Sequence, residues 1–331
     1  MKLARLGACL AASALAAGCA VHPSAAADPT EPKGSSSLRV RLPDLSSPVV
    51  DVYPKPDAAP SDPLKEAVLV RINRNRAAAG VQPVAWDDGA ARVADAFCRQ
   101  QVREATNGHF LTDGVPPYAR TAFSGVFGAQ SENSVSWVTT ARSFTDSATQ
   151  LALLGHDGMM AEKPPSDGHR RTILDPEATH VGVGYALEGG RFQMAQEFLT
   201  RTLERLTLSL RDPSHLVLRF EGKALSGYLL EFVTIAHEPT PASLTREQAS
   251  GRTTYSYPSA TLAYVGEGVS GMRVSGVDTQ EKIRIWSNRE FSFAFAPDRP
   301  GLYTFLFYTA VRSSEPARPG GSVTVWVEER S

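Results

Sequence analysis

The sequence predicts an α+β fold, with a central domain of helices and strands over residues 64–203 and an all-β sandwich over residues 204–331. Helix and strand patterns alternate in the first segment, whereas short strand patterns separated by turn residues fill the second. The composition is that of a globular protein, because 42% of the 331 residues are hydrophobic and 21% are charged. A net charge of -1 provides no general attraction for nucleic acid, so we expect no nucleic-acid partner.

Residues 1–18 are typical of a signal peptide. Basic residues precede an apolar run over 6–17, which is too short to cross about 30 Å of hydrocarbon as a helix. The run ends in LAAGC, similar to the lipobox of bacterial lipoproteins, with Ala16 where that motif usually has Leu. We therefore predict a lipoprotein anchored by Cys19 to a bacterial membrane, with the outer membrane favoured. The alternative is cleavage after Ala27, which would release a secreted or periplasmic soluble protein.

Residues 19–63 are predicted to form a tether that is mostly disordered. Its first part consists of small, polar and charged residues, which provide little apolar surface to bury. Leu38, Val40 and Leu42 alternate with arginines further on, so we also expect an irregular strand that joins one of the two domains.

Two helices are predicted at the start of the central domain. Asp62 caps the first ahead of a proline, apolar residues then recur every four positions, and Gly80 ends the helix. Asp87 caps the second helix, over residues 88–105. Cys98 lies beside the apolar stripe of this helix, where no cation or helix N-terminus would lower its pKa. We therefore expect Cys98 to pack as a small hydrophobic residue.

The rest of the central domain combines a helix with a β-hairpin. Apolar residues over 143–154 share one helical face, and residues 181–198 alternate on both sides of a Glu-Gly-Gly turn. His156 is predicted in a loop, and would be the first candidate for a fifth ligand if a metal were bound. His180 is predicted at the start of a strand, as a surface or edge side chain.

Five motifs follow one another in the central domain. They are INRNRAAAGVQPVAW (72–86), GHF (108–110) with DG (113–114), SEN (131–133), GHRRTIL (168–174) and VGVG (181–184). This order resembles the bacterial members of the CAP superfamily, which comprises cysteine-rich secretory proteins, antigen 5 and pathogenesis-related 1 and is also called the SCP domain. The resemblance implies a three-layer α-β-α sandwich, here assigned to residues 64–203.

The resemblance also implies a cleft lined by two histidines and two acidic residues. The motifs place His109, Glu132 and His169 in this tetrad, and we assign Glu162 as its fourth member. Ser131 stands where the family has glycine, which could alter the backbone beside Glu132. Three other acidic residues compete for the fourth position: Asp157, Asp167 and Glu177.

The chemistry of this tetrad has three interpretations. Two neutral imidazoles and two carboxylates would suit a divalent metal such as Zn²⁺, with His109, Glu132, Glu162 and His169 as ligands. Two separate His–Glu pairs would instead each share a proton, and each carboxylate would raise the pKa of its histidine. The third interpretation is a hydrogen-bonded polar cluster that connects helices to the sheet and binds nothing.

We expect a binding protein of the cell envelope more than an enzyme. Its cleft would bind a small molecule, a lipid or a divalent metal, and the C-terminal sandwich would contact an envelope protein. The alternative is a hydrolase, metal-assisted or using His–Glu pairs as acid and base, that acts on envelope peptides or esters. The sequence contains neither the i, i+4 histidine pair of helical zinc proteases nor a G-x-S-x-G motif. Ser131 and Ser166 lie near tetrad positions without an identifiable base.

The C-terminal segment predicts an immunoglobulin-like sandwich of two antiparallel sheets. Up to ten short strand patterns follow one another, among them residues 253–257. The letters APDRPGLYTF over 296–305 resemble a tyrosine corner, in which the hydroxyl of Tyr303 would bond to the preceding backbone. Trp286 and Trp326 are interpreted as packing residues rather than sugar platforms.

Overall fold

The structure is a computed structural model that describes residues 32–53, 58–140, 144–212, 214–268, 274–286, 289–311 and 316–331. The predicted signal peptide and the predicted lipidation of Cys19 lie outside the described residues. Residues 32–331 pack together as one unit. Within the described part of the chain, no helix combines the length and the apolar character that a membrane span requires.

The elements are numbered along the chain. The helices are α1 (Pro63–Ala78), α2 (Asp88–Glu104), α3 (Pro117–Phe123), α4 (Ala148–Met160), α5 (Gly168–Ile173) and α6 (Arg246–Gly251). The strands are β1 (Leu38–Leu42), β2 (Val49–Val52), β3 (Ala85–Trp86), β4 (Ala129–Val138), β5 (His180–Glu188), β6 (Arg191–Thr200), β7 (Leu203–Asp212), β8 (Val217–Ala224), β9 (Tyr228–Glu238), β10 (Leu262–Gly266), β11 (Asp278–Ile285), β12 (Glu290–Phe295), β13 (Gly301–Val311) and β14 (Arg318–Glu329).

The first two helices begin where the sequence predicts. The Asp62 carboxylate accepts hydrogen bonds from the backbone N–H groups of Leu64, at 2.8 Å, and Lys65, at 3.3 Å. These bonds satisfy N–H groups that have no partner within the helix. Asp87 caps α2 in the same way, through the N–H of Ala90.

The central domain is a three-layer α-β-α sandwich, as the resemblance implies. Its sheet has the strand order β3-β5-β6-β4, so β4 lies at an edge. Side chains alternate between the two faces of β6. Phe192 and Phe198 pack with residues of α1 and α4, whereas Ala195 and Leu199 pack with α2. The hydrophobic core of this domain is thus divided between the two sheet faces.

The VGVG motif lets α2 lie close against the sheet. A Cβ atom at Gly182 would overlap with Ala90 and Ala91, and one at Gly184 would overlap with Ala94 and the backbone that follows it. Glycine is required at both positions because α2 occupies the space that a side chain would fill.

Two strands lie within the segment that the sequence assigned to a tether. β1 pairs antiparallel with β14, and β2 pairs antiparallel with β7. The alternation of Leu38, Val40 and Leu42 was the signal for the first of them. The central domain therefore interrupts the larger sheet in the chain, because it follows β2 and precedes β7.

The C-terminal part is β-rich, and its strands form one curled sheet together with β1 and β2. Their order is β1-β14-β13-β9-β10-β11-β12-β8-β7-β2. The prediction of purely antiparallel pairing was wrong, because β10 and β11 pair in parallel. The strand expected over 253–257 is also absent: this segment has no regular secondary structure and joins no sheet.

A tyrosine corner is present in this part, as the sequence predicts. The Tyr303 hydroxyl accepts hydrogen bonds from the N–H groups of Asp298 and Arg299, at 3.3 and 3.2 Å. It also lies 2.7 Å from Oδ1 of Asp298, to which it donates. The phenol therefore ties the loop before β13 to the strand.

Candidate functional site

A cleft opens beside β4, the edge strand of the central sheet. It has a volume of about 1310 Å³ and is open to solvent. It is lined by residues of β4, of the loop before α5 and of α5 itself, together with the segment 253–257 of the C-terminal part. All four predicted tetrad residues line this cleft.

The first half of the tetrad joins His109 to Glu132 on the sheet face that α2 covers. Nδ1 of His109 lies 2.8 Å from Oε1 of Glu132, and Nη2 of Arg120 lies 2.6 Å from Oε2. The Arg120 guanidinium also stacks on the ring of Phe97, with Cζ 3.8 Å from its centroid. Both oxygens of Glu132 are thus occupied, and the carboxylate is fully buried.

Glu197 lies behind Glu132 and was not identified from the sequence. The two residues are opposite each other on β4 and β6. The N–H of Glu132 points away from β6, so this is a pair without backbone hydrogen bonds, in which side chains come closest. Burial and the neighbouring Glu132 raise the pKa of Glu197 well above its usual range. We conclude that Glu197 is protonated in preference to Glu132: burial raises the pKa of Glu132 as well, but the adjacent Arg120 guanidinium opposes that rise.

His109 has a lowered pKa, against the expectation from the His–Glu pair. Burial lowers it to about 4, and the positive charge of Arg120 acts in the same direction. The ring is therefore neutral near pH 7, with Nδ1–H donating to Glu132. This leaves Nε2 as an acceptor without a hydrogen-bond partner among the described residues.

The second half of the tetrad joins His169 to Glu162 on the opposite sheet face. Nδ1 of His169 lies 2.5 Å from Oε1 of Glu162. The other oxygen of Glu162 accepts hydrogen bonds from the backbone N–H groups of His169, at 3.0 Å, and Arg170, at 3.4 Å. Glu162 therefore holds both the start of α5 and the imidazole.

The competing acidic residues pair with arginines instead. Asp157 lies 2.5 Å from Arg71 and Glu177 lies 2.9 Å from Arg318. Asp167, which lines the cleft, lies 3.2 Å from Arg171. None of the three has a hydrogen bond to His109 or His169 in the described part of the chain.

The two halves meet around the edge of β4, with the histidine ring centroids 6.4 Å apart. Each carboxylate engages the Nδ1 of its own histidine, so the four side chains do not converge on one point. Among the described residues, no group of three or more His, Cys, Asp or Glu side chains is arranged to hold a metal. What the two halves share is an imidazole that lines the cleft and contacts its carboxylate through Nδ1.

Two tyrosines of the C-terminal part also belong to the site. Tyr255 accepts a hydrogen bond from the N–H of Glu132, and Tyr257 accepts one from the N–H of Gln130. The alternation over 253–257 was interpreted as a strand. Nothing in the sequence indicated that the hydroxyl groups of Tyr255 and Tyr257 would form hydrogen bonds with the central domain.

Other residues singled out from the sequence lie apart from this chemistry. His156 is inside α4 rather than in a loop; it is fully buried and bonds to the amides of Asn75 and Gln196, so it is no fifth ligand. His180 opens β5, as predicted. Cys98 is buried and burial raises its pKa, which agrees with a packing role.

Two serines that lie near tetrad positions in the sequence, Ser131 and Ser166, also line the cleft. No hydrogen bond connects either hydroxyl to an imidazole in the part of the chain that the structure describes. A serine nucleophile activated by histidine is therefore not assembled here.

Comparison with known proteins connects this architecture to a family. Residues 69–200 match the model of the CAP, or cysteine-rich secretory protein, family. A search of curated proteins found no match.

Among solved structures, the chain is similar to an extracellular protein containing an SCP domain from Bacillus anthracis. The two sequences are 19% identical, the match covers 44% of this chain and 45% of the Bacillus chain, and the TM-score is 0.33. An outer surface protein from Borrelia burgdorferi shows 13% identity, 44% and 99% coverage, and a TM-score of 0.35. The chain thus spans less than half of the Bacillus protein. Residues 69–200 of this chain are a domain of the cysteine-rich secretory protein family.

Proposed function

We propose that the central domain is a binding module whose cleft takes a small polar ligand or a divalent metal on the Nε2 atoms of His109 and His169. One observation carries this proposal: two imidazoles line the same cleft, and each contacts a carboxylate through Nδ1, which leaves its second nitrogen available. Apart from a few apolar residues such as Leu174, the cleft is lined mainly by charged and hydroxyl-bearing side chains.

The donor set fits a divalent metal in part. A carboxylate that fixes the Nδ1–H of a histidine is the arrangement that commonly supports a metal-binding imidazole. His109 and His169 would hold the metal, and water or the ligand would complete its coordination. The bound metal would supply Lewis-acid chemistry. Structural zinc sites use four protein ligands and catalytic sites three, so two ligands predict weak, exchangeable binding.

The hydrolase alternative has less support. A histidine with a pKa of about 4 is deprotonated near pH 7, so His109 cannot donate a proton as a general acid there. It is also a weak base, because the ideal catalytic pKa lies near the operating pH. We therefore propose the binding function rather than the hydrolase.

Calorimetric titration with Zn²⁺ tests the binding function. We expect one weakly bound ion per chain, with binding lost in the His109→Ala and His169→Ala variants. His215→Ala is the matched control, since His215 is an exposed histidine in the C-terminal part, and it should bind like the unsubstituted protein. Absence of binding to the unsubstituted protein, or equal binding by all variants, would contradict the proposal for metals.

For localisation, we propose the lipid-anchored envelope protein that the sequence predicts, with secreted or periplasmic release as the alternative. The C-terminal part would contact an envelope protein, and its immunoglobulin-like class is supported by the tyrosine corner. Cys19→Ser should move the protein from the membrane to the soluble fraction. Retention of that variant on membranes would count against lipidation at this residue.

A further inference from the structure

The free edge of β4 is closed by tyrosine hydroxyls rather than by another strand. Alternate residues of an edge strand point their N–H groups outward, where they need partners. On β4 the outward N–H of Gln130 donates to Tyr257 and that of Glu132 donates to Tyr255. The two tyrosines lie two residues apart on the segment 253–257, so their spacing follows the strand period.

Tyr255 contacts both members of the His109–Glu132 pair. Its hydroxyl accepts from the N–H of Glu132, at 2.5 Å, and donates to Oε1 of Gln130, at 3.1 Å. Its ring lies edge-on to the imidazole of His109, with centroids 5.0 Å apart and an interplanar angle of 64°. The Gln130 amide then donates to Oε2 of Glu197, the acid behind Glu132.

The two bonds of the hydroxyl require it to remain protonated. Burial raises the pKa of Tyr255 well above its usual value, and the nearby Glu132 and Glu197 act in the same direction.

We propose that Tyr255, supplied by the C-terminal part, is a positioning residue of the cleft: it holds Glu132 against Nδ1 of His109, so that Nε2 stays the free nitrogen. The C-terminal part then completes the site instead of only carrying the central domain. The consequence for ligand affinity rests on the proposed function, whereas the effect on the imidazole does not.

Tyr257 provides a matched control from the same segment. Its hydroxyl accepts from the N–H of Gln130 and lies 3.0 Å from the Ser322 hydroxyl, and its ring stacks on Tyr118. Loss of this hydroxyl also opens one outward N–H of β4. It leaves the bonds between Tyr255, Glu132 and His109 in place.

The test is nitrogen NMR of the full chain labelled with ¹⁵N-histidine, which reports the tautomer of His109. The unsubstituted protein should show one neutral form with the proton on Nδ1. Tyr255→Phe keeps the ring and removes the hydroxyl, so we expect a mixture of the two tautomers and Zn²⁺ affinity about tenfold lower. Tyr257→Phe should retain the single tautomer.

The outcomes separate this inference from the proposed function. A single Nδ1–H tautomer in Tyr255→Phe, or the same mixture in both variants, would overturn the positioning role. Absence of Zn²⁺ binding to the unsubstituted protein would count against metal binding alone, because the tautomers are read without metal. If Tyr255→Phe does not fold, Gln130→Met removes the acceptor of the Tyr255 hydroxyl, and a partial mixture is expected; an unchanged tautomer would again overturn the proposal.

Discussion

Glu197→Gln should leave the folded protein as stable as the original or more stable near pH 7, although Glu197 is completely buried. The protonated acid accepts from Gln130 and donates to Glu132. A glutamine amide can make the same two bonds, with its oxygen toward Gln130 and its NH₂ toward Glu132. Near pH 4.5 we therefore expect the free energy of unfolding to change by less than about 1 kcal/mol.

The pH dependence has a definite sign. The folded-state pKa of Glu197 is raised above the ordinary value of 4.5. Its protonation contributes stability that is fully present below the unfolded-state pKa and is lost as the pH rises toward the folded-state pKa. The amide does not titrate, so the Glu197→Gln variant should gain on the original protein as the pH increases above about 4.5.

Removal of the side chain should have the opposite effect. Glu197→Ala leaves the Gln130 amide without its partner, at about 1–3 kcal/mol, removes one of the hydrogen bonds to the Glu132 carboxylate, and adds a cavity. We expect a total loss of about 3–5 kcal/mol.

Urea unfolding followed by tryptophan fluorescence at pH 4.5 and 7.5 measures these differences. Glu188→Gln is the control, since Glu188 is an exposed glutamate of the same sheet. It should show no change with pH relative to the original. The reasoning would be refuted if Glu197→Gln lost more than about 2 kcal/mol at pH 7.5, a loss that would indicate an ionised Glu197.

Three further predictions concern stability. Arg76 is completely buried and donates to the backbone carbonyls of Gln82, Ile173, Asp175 and Ala178. Arg76→Met should therefore lower the free energy of unfolding in urea by about 3–5 kcal/mol. Arg76→Lys should not recover this stability, because an ammonium group lacks the planar set of donors of a guanidinium. Tyr303→Phe should lower the free energy of unfolding by about 1–2 kcal/mol and leave the NMR signals of His109 unchanged; a shift of those signals would contradict a purely local role. Burial lowers the pKa of His156 to about 4, so on acidification its imidazole is protonated in the unfolded chain before it is protonated in the folded protein. The free energy of unfolding should therefore fall by up to about 3 kcal/mol from pH 6.5 to pH 4. Acid titration of His156→Gln should show a smaller fall.

Much of the central domain could be predicted because its signals are local. A cap at Asp62, apolar residues every four positions and a diglycine turn each describe a few adjacent residues, and the elements formed there. The loop assigned to His156 was wrong because α4 begins after Ser147 and ends later than the apolar pattern. The packing of α4 against α1 and the sheet stabilises the helix beyond the residues that carry the apolar pattern.

The site was predicted only in part. His109, Glu132 and His169 were placed by motifs and Glu162 was assigned beside them, whereas Arg120 and Glu197 have no distinguishing pattern in the sequence. The lowered pKa of His109 depends on burial and on Arg120, neither of which could be read from the His–Glu pair alone.

The sequence by itself determined the two capped helices, the β-hairpin, the family resemblance of the central domain and the residue types available for its cleft, since periodicity, caps and motifs act over short stretches of chain. Only the tertiary structure decided which atoms face one another. It placed β4 at a sheet edge, brought His109 and His169 together around that edge, and set Tyr255 against Glu132 across a sequence separation of 123 residues. Contacts of this kind depend on the packing of whole layers, and no local pattern in the chain encodes them.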